Sequence, residues 1–192
     1  MNFTIIPVDA GRDAPLLHDW MSRDYARFWG MLNASPSDVE TEYARIAADP
    51  YHHAWLGLED GTPAFLAESY APQNSPLAAH YAVKPSDTGM HLLVGPAEQP
   101  RAGFTTAVFR SVLDFLFADE YTQRIVVEPD VRNTKIAALN ARMGFVPARI
   151  ISLSDKDALL SFCTRADFRR TSGMTDAPGS ASSPATISGV TP

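Results

Sequence analysis

Apolar positions recur along this chain with two periods, one close to two and one between three and four. Residues 3–8 alternate well enough to predict a first strand, and Leu16, Leu17, Trp20 and Met21 then recur at helical spacing with one apolar side. Ser35-Pro36-Ser37-Asp38 has the chemistry of a helix start, with Ser35 as cap and Pro36 in the first turn, where a missing N–H costs nothing. Val39, Tyr43 and Ile46 supply that second helix with its buried stripe. Residues 54–58 and 63–70 flank Asp60-Gly61, a dipeptide that tolerates positive φ, and so predict an antiparallel hairpin. A strand over 89–94 runs into Gly95-Pro96, and Phe104, Val108, Val112, Phe115 and Leu116 mark a long amphipathic helix after it. Residues 124–128 form a short β-branched strand, and residues 133–143 a helix with Ile136, Leu139 and Met143 inward and Gly144 as its stop. Residues 146–153 and 158–163 predict two closing strands joined by the polar turn 154–157. The order β, α, α, β, β, β, α, β, α, β, β is a mixed α/β pattern.

Length and composition narrow the picture. A chain of 192 residues buries one sizeable core, and residues 1–170 show neither repeat nor linker, so they are expected to fold as one domain. From residue 171 the chain turns to Ser, Thr, Pro, Gly and Ala with no large aromatic residue, which predicts a disordered tail over 171–192. A net charge of -6 argues against a nucleic-acid partner and favours small molecules. Cys163 is the only cysteine, which excludes an internal disulfide and a four-cysteine zinc site. With no apolar run of about 18 residues and no secretion signal, the expectation is a cytoplasmic protein without a membrane partner.

The chemistry concentrates after the strand over 89–94. Gly95-Pro96 and the loop Arg101-Ala102-Gly103-Phe104-Thr105 at the head of a long helix offer free backbone N–H groups, a positive dipole end and a cation, a combination suited to a pyrophosphate. A plain connecting loop would show the same glycine. Further on, Asn133 opens a helix that Gly144-Phe145 closes. This pair of elements, in this order, resembles the acyl-CoA-binding core of the GNAT superfamily. Phrases spread over residues 12–168 are similar to its siderophore-biosynthesis branch of lysine and hydroxylysine acyltransferases, among them Trp20-Met21, Phe28-Trp29, Glu68-Ser69-Tyr70, Gly89-Met90-His91-Leu92-Leu93, Glu128-Pro129-Asp130 and Lys156-Asp157-Ala158.

The resemblance implies a GNAT fold, an α/β architecture whose mixed central sheet has splayed fourth and fifth strands flanked by helices. It implies direct attack of an amine or hydroxylamine on acetyl-CoA or succinyl-CoA as co-substrate, with no metal. It places His91 as general base and Asp130 beside it, although Asp130 also suits a helix cap. Backbone groups of Leu93, Val94 and Gly95 would face the thioester, and Arg101, Ala102, Gly103, Phe104 and Thr105 the pyrophosphate, with Asn133 and Asn140 also on the coenzyme. Trp20 and Trp29 would wall the acceptor pocket, and Glu68 and Tyr70 would hold the acceptor. Two positions depart from the superfamily. The phosphate loop has one glycine where two are usual, and Asn140 stands where many members carry a Tyr that protonates the departing thiolate, which a carboxamide cannot do. The implied activity is acylation of N-hydroxycadaverine or N6-hydroxylysine to a hydroxamate that later binds iron(III), with an aminoglycoside 6'-N-acetyltransferase and a non-catalytic acyl-CoA-binding module as the competing readings.

Overall fold

The segments of period two pair into one seven-stranded sheet, and the helical segments cover both of its faces. The computed structural model describes residues 1–97, 99 and 101–171. Its strands are β1 (Phe3–Pro7), β2 (His52–Glu59), β3 (Thr62–Tyr70), β4 (Asp87–Val94), β5 (Arg124–Val127), β6 (Val146–Ser152) and β7 (Asp157–Thr164). Its helices are α1 (Ala10–Met21), α2 (Pro36–Ala48), α3 (Phe104–Ala118), α4 (Thr134–Arg142) and α5 (Arg165–Thr171). The sheet order is β1-β2-β3-β4-β5-β7-β6, antiparallel throughout except for the parallel pair β4–β5. No helix among the described residues is long and apolar enough to cross a membrane.

Local signals account for most boundaries. Ser35 accepts from the Asp38 N–H while Asp38 accepts from the Ser35 N–H, the reciprocal box that starts α2. Asp60 and Gly61 both have positive φ, 48° and 82°, so the β2–β3 hairpin turns as its sequence demands. Gly144, at φ 95°, ends α4. Helix α1 begins at Ala10, earlier than its apolar stripe, because Asp9 caps a polar first turn by accepting from the Arg12 N–H. Helix α5 and the 3-10 segments Asp24–Trp29, Pro72–Asn74 and Pro76–Ala79 were not expected, since one or two turns carry too few residues to show a period. Thr171, expected to open the tail, is the last residue of α5, and the remainder of that expectation, residues 172–192, lies outside the described residues.

Alternation along the strands divides the core into two layers. Phe65, Ala67, Met90, Ile125 and Val127 meet Val108, Phe109, Val112 and Leu113 of α3 on one face. Leu56, Leu66 and Leu93 meet Leu17 and Met21 of α1 and Val39 and Ile46 of α2 on the other. Fully burying one such side chain stabilises by roughly 1.5–3 kcal/mol, so these layers hold the sheet even where strand pairing lapses.

It lapses between β4 and β5. Their pairing runs from Asp87↔Arg124 to Gly89↔Val126, although β4 continues to Val94. Arg124 clamps the paired end, its Nε and Nη2 donating to the enclosed Asp87 carboxylate at 2.8 and 2.6 Å. Beyond that clamp the strands diverge, as expected, and leave a wedge with unpaired main chain along both edges.

Candidate functional site

The wedge opens into a cleft of about 1300 Å³ lined by β4, β5, α3, α4 and the 3-10 segment Asp24–Trp29. At its apex stands His91. Register explains its neighbours. Glu68 lies directly across from His91 on β3, and extending the Gly89↔Val126 pairing by two residues brings Glu128 level with His91 on the other side. The imidazole spans both, with Nδ1 3.1 Å from Glu68 Oε2 and Nε2 2.7 Å from Glu128 Oε1.

Both carboxylates are buried and fully engaged. Glu68 Oε1 accepts from Tyr43 at 3.0 Å, and its Oε2 is also 3.2 Å from His52 Nε2. Glu128 Oε2 accepts from Tyr70 at 2.9 Å, and the Lys156 ammonium lies 3.8 Å from Oε1. Burial would raise the Glu68 pKa, yet the hydrogen bonds from His52 and His91 outweigh it and hold the carboxyl at about 2. Burial likewise works against a low Glu128 pKa, but the charge and hydrogen bond of His91 keep it below the usual carboxylate range. Desolvation works against the imidazolium too, but the Glu128 charge and the hydrogen bonds to both carboxylates push the His91 pKa up to about 10. An imidazole facing two carboxylates must donate from both nitrogens, so the geometry and the pKa agree on a cation.

The expected site residues take different places in this arrangement. His91 is at the wedge, with each ring nitrogen within hydrogen-bond distance of a buried carboxylate. Asp130 is not its partner; the carboxylate binds the Arg132 backbone N–H at 2.8 Å and the Arg132 guanidinium at 2.5–3.1 Å, because the turn after β5 folds Arg132 back onto it. Glu68 and Tyr70 share a face, as alternation requires; Glu68 lines the cleft and bonds His91, and Tyr70 donates to Glu128. Trp20 is a core residue, 4% exposed, packed among α1 and α2 with its ring against Gly95. Trp29 does line the cleft, its ring edge-on to His91 at 6.1 Å.

The coenzyme-side positions divide in the same way. The Gly95 N–H donates to Ala64 O at 2.8 Å, and alternation turns the Leu93 N–H toward β3 as well, so the β4 amides facing the wedge are those of Leu92 and Val94. Arg101 is not a free cation: its guanidinium binds Glu59 at 2.5 and 2.9 Å and stacks over Phe104. Ala102 is exposed, and Phe104 packs against Phe3. Gly103, with φ 77°, is the N-cap of α3 and offers no side-chain acceptor, so the α3 N-terminus keeps N–H groups for an anion, with Thr105 at the cleft. Asn133 caps α4 by accepting from the Ile136 N–H. Asn140 lines the cleft, and its buried Oδ1 has no donor. Sequence reasoning missed Glu128 as a partner of His91, together with Tyr43 and His52. A buried-strand glutamate was the visible signal for the first; the other two depend on a register and a helix placement that one sequence does not encode legibly.

Comparison with known proteins follows this geometry. A family model described as an acetyltransferase (GNAT) domain matches residues 9–153. An N-hydroxyputrescine acetyltransferase of Acinetobacter baumannii is 26% identical over 162 residues, 84% of this chain and 77% of that protein. An aminoglycoside N(6')-acetyltransferase type 1 of Klebsiella pneumoniae is 26% identical over 168 residues, 83% of this chain and 82% of that one. The crystal structure of the aminoglycoside acetyltransferase AAC(6')-Ib in complex with coenzyme A superimposes with a TM-score of 0.79 at 23% identity, covering 89% of this chain and 99% of the other, a likeness of fold.

Proposed function

The chain belongs to the GNAT acetyltransferase family, and on that premise we propose that it acylates the nitrogen of an N-hydroxylated amine, N-hydroxycadaverine or N6-hydroxylysine, from acetyl-CoA or succinyl-CoA, giving a hydroxamate for siderophore biosynthesis. The observation that carries this reading is the imidazole of His91 held through both ring nitrogens between Glu68 and Glu128. An alkylammonium, with an ordinary pKa near 10.4, must lose a proton before it can attack. At the wedge apex both ring nitrogens of His91 are turned to carboxylate oxygens. An N-hydroxyamine arrives already neutral, so the acceptor itself meets the requirement that the site does not. The relative whose name specifies an N-hydroxyputrescine acetyltransferase supports the same acceptor class.

In the reaction the nitrogen lone pair attacks the thioester carbonyl carbon, the C–N bond forms, the C–S bond breaks, and the proton lost by nitrogen balances the one gained by sulfur. The Leu92 and Val94 N–H groups along the β4 edge are the donors for the thioester carbonyl and the coenzyme arm. The α3 N-terminus at Gly103 takes the pyrophosphate. His91 acts here as a fixed positive charge that keeps two buried carboxylates in place, with Trp29 as the acceptor-side wall.

The aminoglycoside reading ranks second because that relative matches over a similar share of the chain. Polycations call for several unpaired acidic groups, whereas Asp24 and Glu42 at the cleft already pair with Arg27 and Arg45, which leaves Asp38, bonded to Ser35, without a cation among the described residues. Steady-state thiol release from acetyl-CoA with N-hydroxycadaverine, N6-hydroxylysine, cadaverine, lysine and kanamycin tests the choice. We expect a hydroxylated acceptor to exceed its parent amine in kcat/KM by roughly tenfold or more. Kanamycin as the best acceptor would reverse the ranking, and release that no acceptor stimulates would favour a binding module.

A further inference from the structure

A buried acceptor without a donor is rare enough to need a reason. Among the described residues, Asn140 Oδ1 is the one buried side-chain acceptor that has none. The residue is 4% exposed, lies on the inward face of α4 beside Leu139, and lines the same cleft as His91. Nothing in the fold requires a carboxamide there. Leu139 and Met143, its neighbours on that face, are apolar, and Leu at position 140 would fill the space without an unmet hydrogen bond.

The other buried acceptors at the cleft are already satisfied. Glu68 and Glu128 accept at both oxygens from Tyr43, His52, His91 and Tyr70, and Asp130 accepts at both from Arg132. Asn133 Oδ1 takes the Ile136 N–H. The amide N–H groups of a coenzyme arm have another destination, the unpaired main chain of β4 where it parts from β5. A coenzyme thiol is only a weak donor. The donor still missing a partner is the hydroxyl that distinguishes an N-hydroxyamine from the parent amine.

We propose that Asn140 is a specificity-determining residue whose Oδ1 accepts the N-hydroxyl proton of the acyl acceptor. The proposal rests on the acceptor class assigned above. A buried group built to meet a hydroxyl discriminates strongly, because the analogue lacking the hydroxyl leaves that group unpaired.

The test compares wild type with Asn140→Leu and Asn140→Ser, measuring kcat/KM for N-hydroxycadaverine and for cadaverine with acetyl-CoA, and acetyl-CoA and CoA affinity by calorimetry. Taking the ratio of the two acceptors within one variant cancels any loss of folded protein. In Asn140→Leu, the ratio of kcat/KM for N-hydroxycadaverine to that for cadaverine should fall roughly 10- to 100-fold. Asn140→Ser, which keeps an acceptor, should recover part of the preference. Equal losses on both acceptors would overturn the proposal, as would weaker binding of acetyl-CoA or CoA, which would assign the oxygen to the coenzyme. A wild-type enzyme without preference for the hydroxylated acceptor would refute the proposed function itself and this assignment with it, whereas an intact preference that survives in Asn140→Leu would refute the assignment alone.

Discussion

Both nitrogens of the His91 imidazole face buried carboxylates, and those contacts set the direction of its pKa. Folding raises its pKa from the ordinary 6.5 to about 10, so its proton stabilises the fold fully below pH 6.5 and the contribution disappears as pH climbs toward 10. Glu68 works in the opposite direction. With its pKa lowered from 4.5 to about 2, its contribution is present above pH 4.5 and disappears as pH falls through 2. Between these limits His91 and Glu68 are both charged. An NMR titration of the His91 ring should therefore show a midpoint near 10, and a midpoint near 6.5 would restore the role of free base. Wild type should therefore lose stability as pH rises from 7 to 10, by less than the full linkage because the ring is partly exposed and screened by solvent, and the loss should vanish in His91→Gln when unfolding is followed across that range. The sequence showed His91 as a polar interruption of an apolar strand. It did not show that Glu128, not Asp130, stands level with it, because that depends on the parallel register of β4 and β5.

At the scale of elements, the wedge depends on where β4 stops pairing, and Gly89 marks the place. A Cβ there would come within 2.2 Å of the Tyr70 ring, which lies against β4 while its hydroxyl donates to Glu128. Gly89→Ala should thus push Tyr70 off Glu128 and destabilise the protein by roughly 1–3 kcal/mol, measured by denaturant unfolding, with turnover falling further than the folded fraction does. Unchanged stability and turnover would mean that Tyr70 has room to move and that its bond to Glu128 is dispensable. Elements with a period were legible in advance: the hairpin at Asp60-Gly61, the capped α2, the long α3 and the Gly144 stop each follow from local chemistry. Elements without one were not. The 3-10 segment Asp24–Trp29, which brings Trp29 to the cleft, spans six residues, and α5 buries a single residue, Phe168.

At the scale of the molecule, the sheet order and its two apolar layers place the two halves of the site on different supports. Helices α3 and α4 pack on one face and line the cleft, while Tyr43 of α2 reaches Glu68 from the other. Strand order and splay were accessible from sequence only through the family resemblance, since alternation states which face a residue occupies and not which strand lies beside it. The same resemblance carried the acceptor class, and the charged His91 cluster now gives that class a physical reason. The product separates the readings most directly. Wild-type enzyme incubated with acetyl-CoA and N-hydroxycadaverine should form one hydroxamate, detected by its coloured iron(III) complex, for each thiol released. Thiol release without hydroxamate, or hydroxamate formation far slower than acetylation of kanamycin, would contradict acylation at a neutral N-hydroxylated nitrogen.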